Sequence, residues 1–266
     1  MKRPLVMGIL NVTPDSFSDG GRYLATEAAI AHGLEMVAEG ADIVDVGGES
    51  SRPGAEPVAE AVELERVLPV IEALAPLVRV SIDTVKPAVA TAAVRAGATV
   101  VNDVSSTLWP VAAAGSAGWV AMHMQGSPAT MQTAPHYDDV VTEVFDFLLT
   151  RARAALAGGV REVWVDPGIG FGKTAAHNLS LLHHLPELVA AAADVGCAGV
   201  LVGTSRKRFL GVLAAPPGSD TPLGVDERVE GSLATAALAM VAGVAVVRVH
   251  DVAVTVQSGR LYGPAA

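Results

Sequence analysis

The sequence predicts an α/β fold, a single-domain TIM (β/α)8 barrel over residues 1–266, on three observations. Apolar runs rich in Val, Ile and Leu alternate with amphipathic segments along the whole chain, and eight such pairs can be counted. The runs are continuously apolar rather than alternating, as expected of parallel strands covered on both faces. No Gly-x-Gly-x-x-Gly follows the first run, so a closed barrel is preferred to an open doubly wound sheet.

The elements follow in order. Leu5–Asn11 is the first strand, and it opens into a long polar loop that ends at Gly20-Gly21. Ala25–Glu39 carries Ala28, Ile30, Ala31, Leu34 and Val37 near helical period, and Gly40 ends it. Asp42–Val46 is the second strand, and a helix runs from Val58 to Leu74. Val78–Ile82 is the third strand, and Lys86-Pro87 opens a helix with proline in its first turn. Thr99–Val101 and Trp119–Met122 are the fourth and fifth strands, with a short helix over Trp109–Gly115 between them. Tyr137–Ala157 is the longest helix. Glu162–Val165 is the sixth strand; the helix after it, Ala175–Ala193, is bent or split by Pro186. Gly199–Val202 is the seventh strand, Pro216–Gly224 a loop and Arg228–Val241 a helix. Val244–Val249 is the eighth strand, and a short last helix precedes Tyr262.

Composition narrows the function. Half the residues are hydrophobic (51%) and only 17% are charged, enough apolar material for a large core. The net charge of −10 argues against binding nucleic acid or an anionic membrane. Cys197 is the sole cysteine, so neither an internal disulfide nor a cysteine-based metal cluster is expected. The first strand begins at once and no long apolar run is free of charges and helix breakers, so the cytoplasm is the expected location.

In a barrel the C-terminal ends of the strands share one mouth. Here they carry Asn11, Glu49, Asp83, Asn102, Met122, Asp166, Lys207, Arg248 and His250. Taken singly, each has an ordinary structural explanation: Asp83 or Thr84 can cap a helix, Asn102 can fill a turn and Lys207 can be solvated. Together they give hydrogen-bonding chemistry to nearly every strand end. Asp83, Asn102 and Asp166 suit the edges of a flat heterocycle, since a carboxylate pairs with an amino-pyrimidinone N–H pair. Asn11, Arg248 and His250 lie on strands that neighbour each other once the barrel closes. They suit an anion, with Asn11 able to ligate Mg2+ through oxygen. Arg206, Lys207, Arg208 and Arg248 gather positive charge at this end. Gly168-Ile-Gly-Phe-Gly-Lys-Thr174 imitates a phosphate loop but is one residue short of Gly-x-x-x-x-Gly-Lys-Thr. The histidines form no metal-spaced set.

The chain resembles the dihydropteroate synthase family, the folate-pathway transferases that sulfonamides inhibit. The motifs that carry the resemblance run from Val6 to Val252. They are Gly-Ile-Leu-Asn-Val-Thr-Pro-Asp-Ser-Phe-Ser-Asp-Gly-Gly from Gly8, Asp-Val-Gly-Gly-Glu-Ser-Ser-Arg-Pro-Gly from Asp45, Ser-Ile-Asp-Thr from Ser81 and Val-Asn-Asp-Val from Val101. Met-His-Met-Gln-Gly-Ser-Pro, Asp-Pro-Gly-Ile-Gly-Phe-Gly-Lys, Ser-Arg-Lys and Arg-Val-His-Asp complete the set. The resemblance implies a homodimeric TIM barrel that condenses 6-hydroxymethyl-7,8-dihydropterin diphosphate with 4-aminobenzoate, with Mg2+ as cofactor. By motif it implies a pterin held by Asp83, Asn102, Asp166 and Lys207, with Met122 packed on the ring. It implies Asn11 at the metal, and Arg248 and His250 on the diphosphate. Phe17 and Asp19 of the first loop and Ser51, Arg52 and Pro53 of the second would close over the site, Asp19 stabilising a methylene cation. The aminobenzoate would lie near Phe171 and Arg208. Ser51 stands where many members have Thr, and Arg208 where many have Ser.

Three other readings compete. A paralogue with the pocket but no synthase activity predicts damage to the two loops, whose motifs are intact here. A pterin-binding methyltransferase needs a corrinoid partner, and this chain has no Asp-x-His-x-x-Gly motif. A binding-only scaffold has no need of Asn11, Arg248 and His250 beside a closing loop.

Overall fold

The computed structural model describes residues 3–13, 21–50, 57–127, 130–219 and 221–263, with the backbone alone for 21–24. Eight parallel strands close into a barrel in sequence order, β1 pairing with both β2 and β8. They are β1 Leu5–Asn11, β2 Ile43–Gly47, β3 Arg79–Asp83, β4 Val100–Asp103, β5 Gly118–Met122, β6 Val163–Asp166, β7 Gly199–Val202 and β8 Val246–Val249. The helices are α1 Gly21–Glu39, α2 Glu60–Leu74, α3 Pro87–Arg95, α4 Trp109–Gly115, α5 Val140–Ala157, α6 Ala175–His183, α7 Leu185–Val195, α8 Arg208–Leu213, α9 Val229–Val241 and α10 Val252–Gly259.

Side chains alternate across each strand, and the two faces have different neighbours. Val6, Leu10, Val44, Val46, Val80, Ile82, Val163, Val165 and Val247 point outward into a core shared with the helices. Gly8 faces the same way because α1 comes close: a Cβ there would lie 2.9 Å from Met36 Sδ. The inward set forms a second cluster, Met7, Ile43, Val100, Val120, Trp164, Leu201 and Val246, all buried. This cluster plugs the barrel. Beneath it Arg79 Nη2 reaches Glu162 Oε2 at 2.7 Å, and the guanidinium lies 5.5 Å from the Trp164 ring centroid. The shaft therefore has a floor.

Most expected elements lie where the sequence put them, and the differences have local causes. The helix after β6 splits at His184, with Pro186 in the first turn of α7, where its missing N–H leaves no hydrogen bond unmade. Helix α5 starts at Val140 rather than Tyr137, because the Asp139 carboxylate caps it, accepting from the Val141 and Thr142 N–H groups at 3.0 and 3.3 Å. Tyr137 is used otherwise, donating from its buried hydroxyl to the Gly172 carbonyl at 2.8 Å. Strand β8 starts at Val246 rather than Val244, since Val244 N–H still bonds back to Ala239 of α9. The last helix, α10, is eight residues long, short as expected.

Candidate active site

Above the plug the inward positions turn polar. Strand parity places Asn11, Asp45, Gly47, Ser81, Asp83, Asn102, Met122, Asp166 and Arg248 on the inward face, with Asn11 opposite Gly47, Gly47 opposite Asp83 and Asp83 opposite Asn102 in register. Asp45, Ser81, Asn102 and Asp166 are all buried. Arg248 spans the shaft. Its Nε donates to Asp45 Oδ2 at 2.6 Å and its Nη2 to Asp83 Oδ2 at 2.8 Å. Asn102 Nδ2 donates to the same Asp45 oxygen at 2.9 Å. Asp166 Oδ1 accepts from the Gly168 N–H at 2.7 Å, and Lys207 Nζ donates to the Ile169 carbonyl. The Lys207 ammonium also lies 4.6 Å from the centroid of the Phe171 ring. Met122, 4% exposed, ends β5 beside Asp166 in register.

The electrostatics follow from burial. Desolvation pushes the Asp83 carboxyl up, against the Arg248 guanidinium and with help from Asp45. Desolvation likewise raises Asp166, offset by Lys207, the Gly168 N–H and Arg248. Burial pulls the Lys207 ammonium down to about 8, with Arg248 adding to the fall while Asp166 and Asp83 oppose it. The site thus holds an acceptor-rich set of three carboxylates around two cations. That suits a neutral ring presenting N–H donors.

At the rim, His250 N–H donates to Ser205 Oγ at 3.1 Å, and the same hydroxyl lies 3.0 Å from His250 Nδ1. A hydroxyl already accepting from the backbone is free to donate to Nδ1, and with that donation the ring proton sits on Nε2. Asn11 ends β1, its side-chain oxygen 3.9 Å from where a Gly47 Cβ would stand. Among the described residues no group of three or more His, Cys, Asp or Glu is placed to hold a metal ion. A lone amide oxygen still fits Mg2+, which commonly keeps its waters and takes few protein ligands alongside substrate phosphates. Arg208, exposed, is the first residue of α8. Phe17, Asp19, Ser51, Arg52 and Pro53 lie outside the described residues.

The positive charge expected at Arg206 is spent within the protein: its Nη2 and Nε pair with Asp251 at 2.6 and 3.1 Å. Glu49 is likewise engaged, accepting from Lys86 Nζ at 2.5 Å while Lys86 also donates to the buried Glu63. Two groups escaped the sequence reading. Asp45 passed as part of a strand, although counting back two from Gly47 puts it on the inward face. Lys173, set aside with the false phosphate loop, is buried and donates to the His123 and Gly168 carbonyls at 3.3 and 3.1 Å and to that of Phe171 at 3.0 Å. Its Nζ also lies 3.0 Å from His123 Nδ1. Burial pulls Lys173 down to about 7, and burial with the neighbouring ammonium pulls His123 down to about 3. The pair pins the loops after β5 and β6 together.

A plugged barrel whose mouth carries these carboxylates, Asn102, Lys207 and Arg248 is the architecture of a pterin-binding enzyme, and the family model described as "Pterin binding enzyme" matches residues 7–250. The dihydropteroate synthase of Mycobacterium leprae is 47% identical over 268 residues, covering 97% of this chain and 92% of that protein. Two crystal structures superpose closely. The dihydropteroate synthase of Xanthomonas albilineans with 4-aminobenzoic acid has a TM-score of 0.86 at 47% identity, over 98% of this chain and 92% of that one. That of Yersinia pestis with a sulfonamide drug complex has a TM-score of 0.86 at 43% identity, over 98% and 93%. The chain belongs to the dihydropteroate synthase family, transferases of folate synthesis.

Proposed function

We propose that the polar layer above the plug is a pterin site and that this chain, acting as one domain over residues 1–266, joins 6-hydroxymethyl-7,8-dihydropterin diphosphate to 4-aminobenzoate. The observation that carries the reading is the set of Asp83, Asn102, Asp166 and Lys207 above the apolar plug, with Arg248 on β8 and His250 just past its end, on the strand that pairs with β1 and its terminal Asn11. Asp83 and Asp166 accept from ring N–H groups, Lys207 donates to a ring acceptor and Met122 packs on the flat face. Arg248 and His250 face the diphosphate, and Asn11 offers an oxygen to Mg2+. Bound Mg2+ would supply charge neutralisation to the leaving diphosphate.

The bond between the pterin methylene and the diphosphate oxygen breaks, the arylamine nitrogen bonds to that carbon, and the amine loses a proton. Arg248 and an Nε2-protonated His250 stabilise charge as it gathers on the leaving oxygen. An arylamine is already a nucleophile, so no strong base is needed. Phe17 and Asp19 of the first loop and Ser51, Arg52 and Pro53 of the second would cover the site, with Asp19 countering positive charge on the methylene and the covering loops excluding water. Phe171 and Arg208 lie toward the aminobenzoate. We further propose a homodimer in the cytoplasm. The exposed apolar residues Leu238 and Val241 on α9 and Val254 on α10 support an association surface, and among the described residues no helix is long and apolar enough to cross a membrane.

The test is diphosphate release from dihydropterin diphosphate, with and without Mg2+ and 4-aminobenzoate. Release that requires both and matches dihydropteroate formed is the expected result. Release indifferent to aminobenzoate would overturn the transfer, and release indifferent to chelation would overturn the metal.

A further inference from the structure

Asp45 lies two residues below Gly47 on the inward face of β2 and is given no contact with substrate above. It is fully buried, and one of its oxygens, Oδ2, accepts from two side chains that do face the mouth. Its other oxygen, Oδ1, and the hydroxyl of Ser81 on the neighbouring strand are both buried without a hydrogen-bond partner among the described residues. Asp45 and Ser81 are direct partners in the β2–β3 register.

We propose that Asp45 is a positioning residue that sets the direction in which Asn102 and Arg248 address the substrate. This rests on the pterin-site reading above. An ionised carboxylate only accepts, so it can hold the Asn102 amide in one of its two orientations, with Nδ2 downward and Oδ1 toward the mouth. A heterocycle arriving from above then meets an acceptor at Asn102 rather than a donor. The same oxygen takes the Nε–H of Arg248, which leaves the two terminal nitrogens to reach up: one meets Asp83 and the other edge turns to whatever anion enters. One buried oxygen thereby couples the ring end of the site to the leaving-group end. Arg248 and Asp45 are 203 residues apart in sequence, so the link exists only once the barrel has closed.

The test uses 6-hydroxymethyl-7,8-dihydropterin, which lacks the diphosphate and so leaves out the leaving-group end; the Asn102→Ala background then separates the Asn102 branch from any effect passed through Arg248 to Asp83. Asp45→Ala removes the acceptor; Asp45→Asn keeps an oxygen in place, with Ser81 able to receive its amino group. Asp45→Ala is expected to weaken dihydropterin binding about tenfold, the scale of one misdirected hydrogen bond. Asp45→Asn should restore most of that loss, and in an Asn102→Ala background Asp45→Ala should add less than about twofold. The KM for 4-aminobenzoate should not move. Equal losses in the Ala and Asn variants, or losses that multiply with Asn102→Ala, would overturn the proposal. Should Asn102→Ala itself bind dihydropterin normally, the pterin-site reading fails, and the proposal with it. Where Asp45→Ala does not fold, the wild-type protein still decides: the Asn102 side-chain amide should give one slowly exchanging pair of proton resonances before ligand is added. Rapid exchange there would refute the positioning role.

Discussion

Gly168→Ala is the substitution whose effect can be worked most directly from the structure. Gly168 adopts φ +62, and a Cβ built on it would stand 1.8 Å from the His123 carbonyl oxygen. Contacts under 3.0 Å are essentially never seen for real Cβ atoms, so the two loops must part by more than an ångström. The left-handed conformation costs alanine about 1–2 kcal/mol, and forcing a methyl into packed backbone about 1–3 kcal/mol more. The sum, roughly 2–5 kcal/mol, falls on one junction. The His123 carbonyl accepts from Lys173, and the Gly168 N–H holds Asp166. We expect a loss of that size in urea unfolding, together with at least about tenfold weaker dihydropterin binding as Asp166 loses its donor. A variant within about 0.5 kcal/mol of wild type, with unchanged binding, would refute the packing argument.

Two further outcomes are expected. The kcat/KM for dihydropterin diphosphate should be bell-shaped: it falls as pH drops through the raised Asp83 value, because a protonated carboxyl cannot accept from the ring, and falls again as pH rises through about 8, where Lys207 loses its charge. A flat profile across that range would sink the assigned roles. Lys86→Met strands the Glu63 side chain, which is 1% exposed, and should cost about 3–5 kcal/mol. Burial lowers the Lys86 pKa, but hydrogen bonds to Glu49 and Glu63 outweigh it and raise the group above its ordinary 10.5. The stability from Lys86 is therefore complete below that value and lost as pH rises through the folded one. The gap between wild type and variant should close only in strong alkali; a gap already gone near neutrality would refute the pairing.

Much of the fold was legible because strands and helices are local events. Leu5–Asn11 was bounded to the residue by an apolar run meeting a polar loop, and the break before Pro186 by the proline itself. The candidate site was legible as a set of strand ends, since closure of the barrel is enough to bring strand ends together. What the sequence hid was which side chains satisfy one another. Arg206 and Arg248 look alike in the chain, yet Arg206 is consumed by Asp251 on its own side of the barrel, while Arg248 crosses the shaft to Asp45 and Asp83. Lys173 was dismissed with a motif it does not complete, and its worth as a pin between loops appears only where three carbonyls converge on it. Each of these choices depends on burial and on partners far along the chain, and no window of neighbouring residues records them.

The plug of Met7, Ile43, Val100, Val120, Trp164, Leu201 and Val246, with the Arg79–Glu162 pair below it, makes the site a blind well. A blind well imposes traffic rules. Whatever seats against the floor must arrive first, and whatever lies across the opening must arrive second and leave before it. On the proposed placement of the two substrates, a compound mimicking the upper occupant binds best when the lower one is already seated, and by covering the mouth holds it in place. Such an inhibitor gains potency from the substrate it imprisons, so raising the concentration of the floor-bound substrate should strengthen the inhibition rather than relieve it.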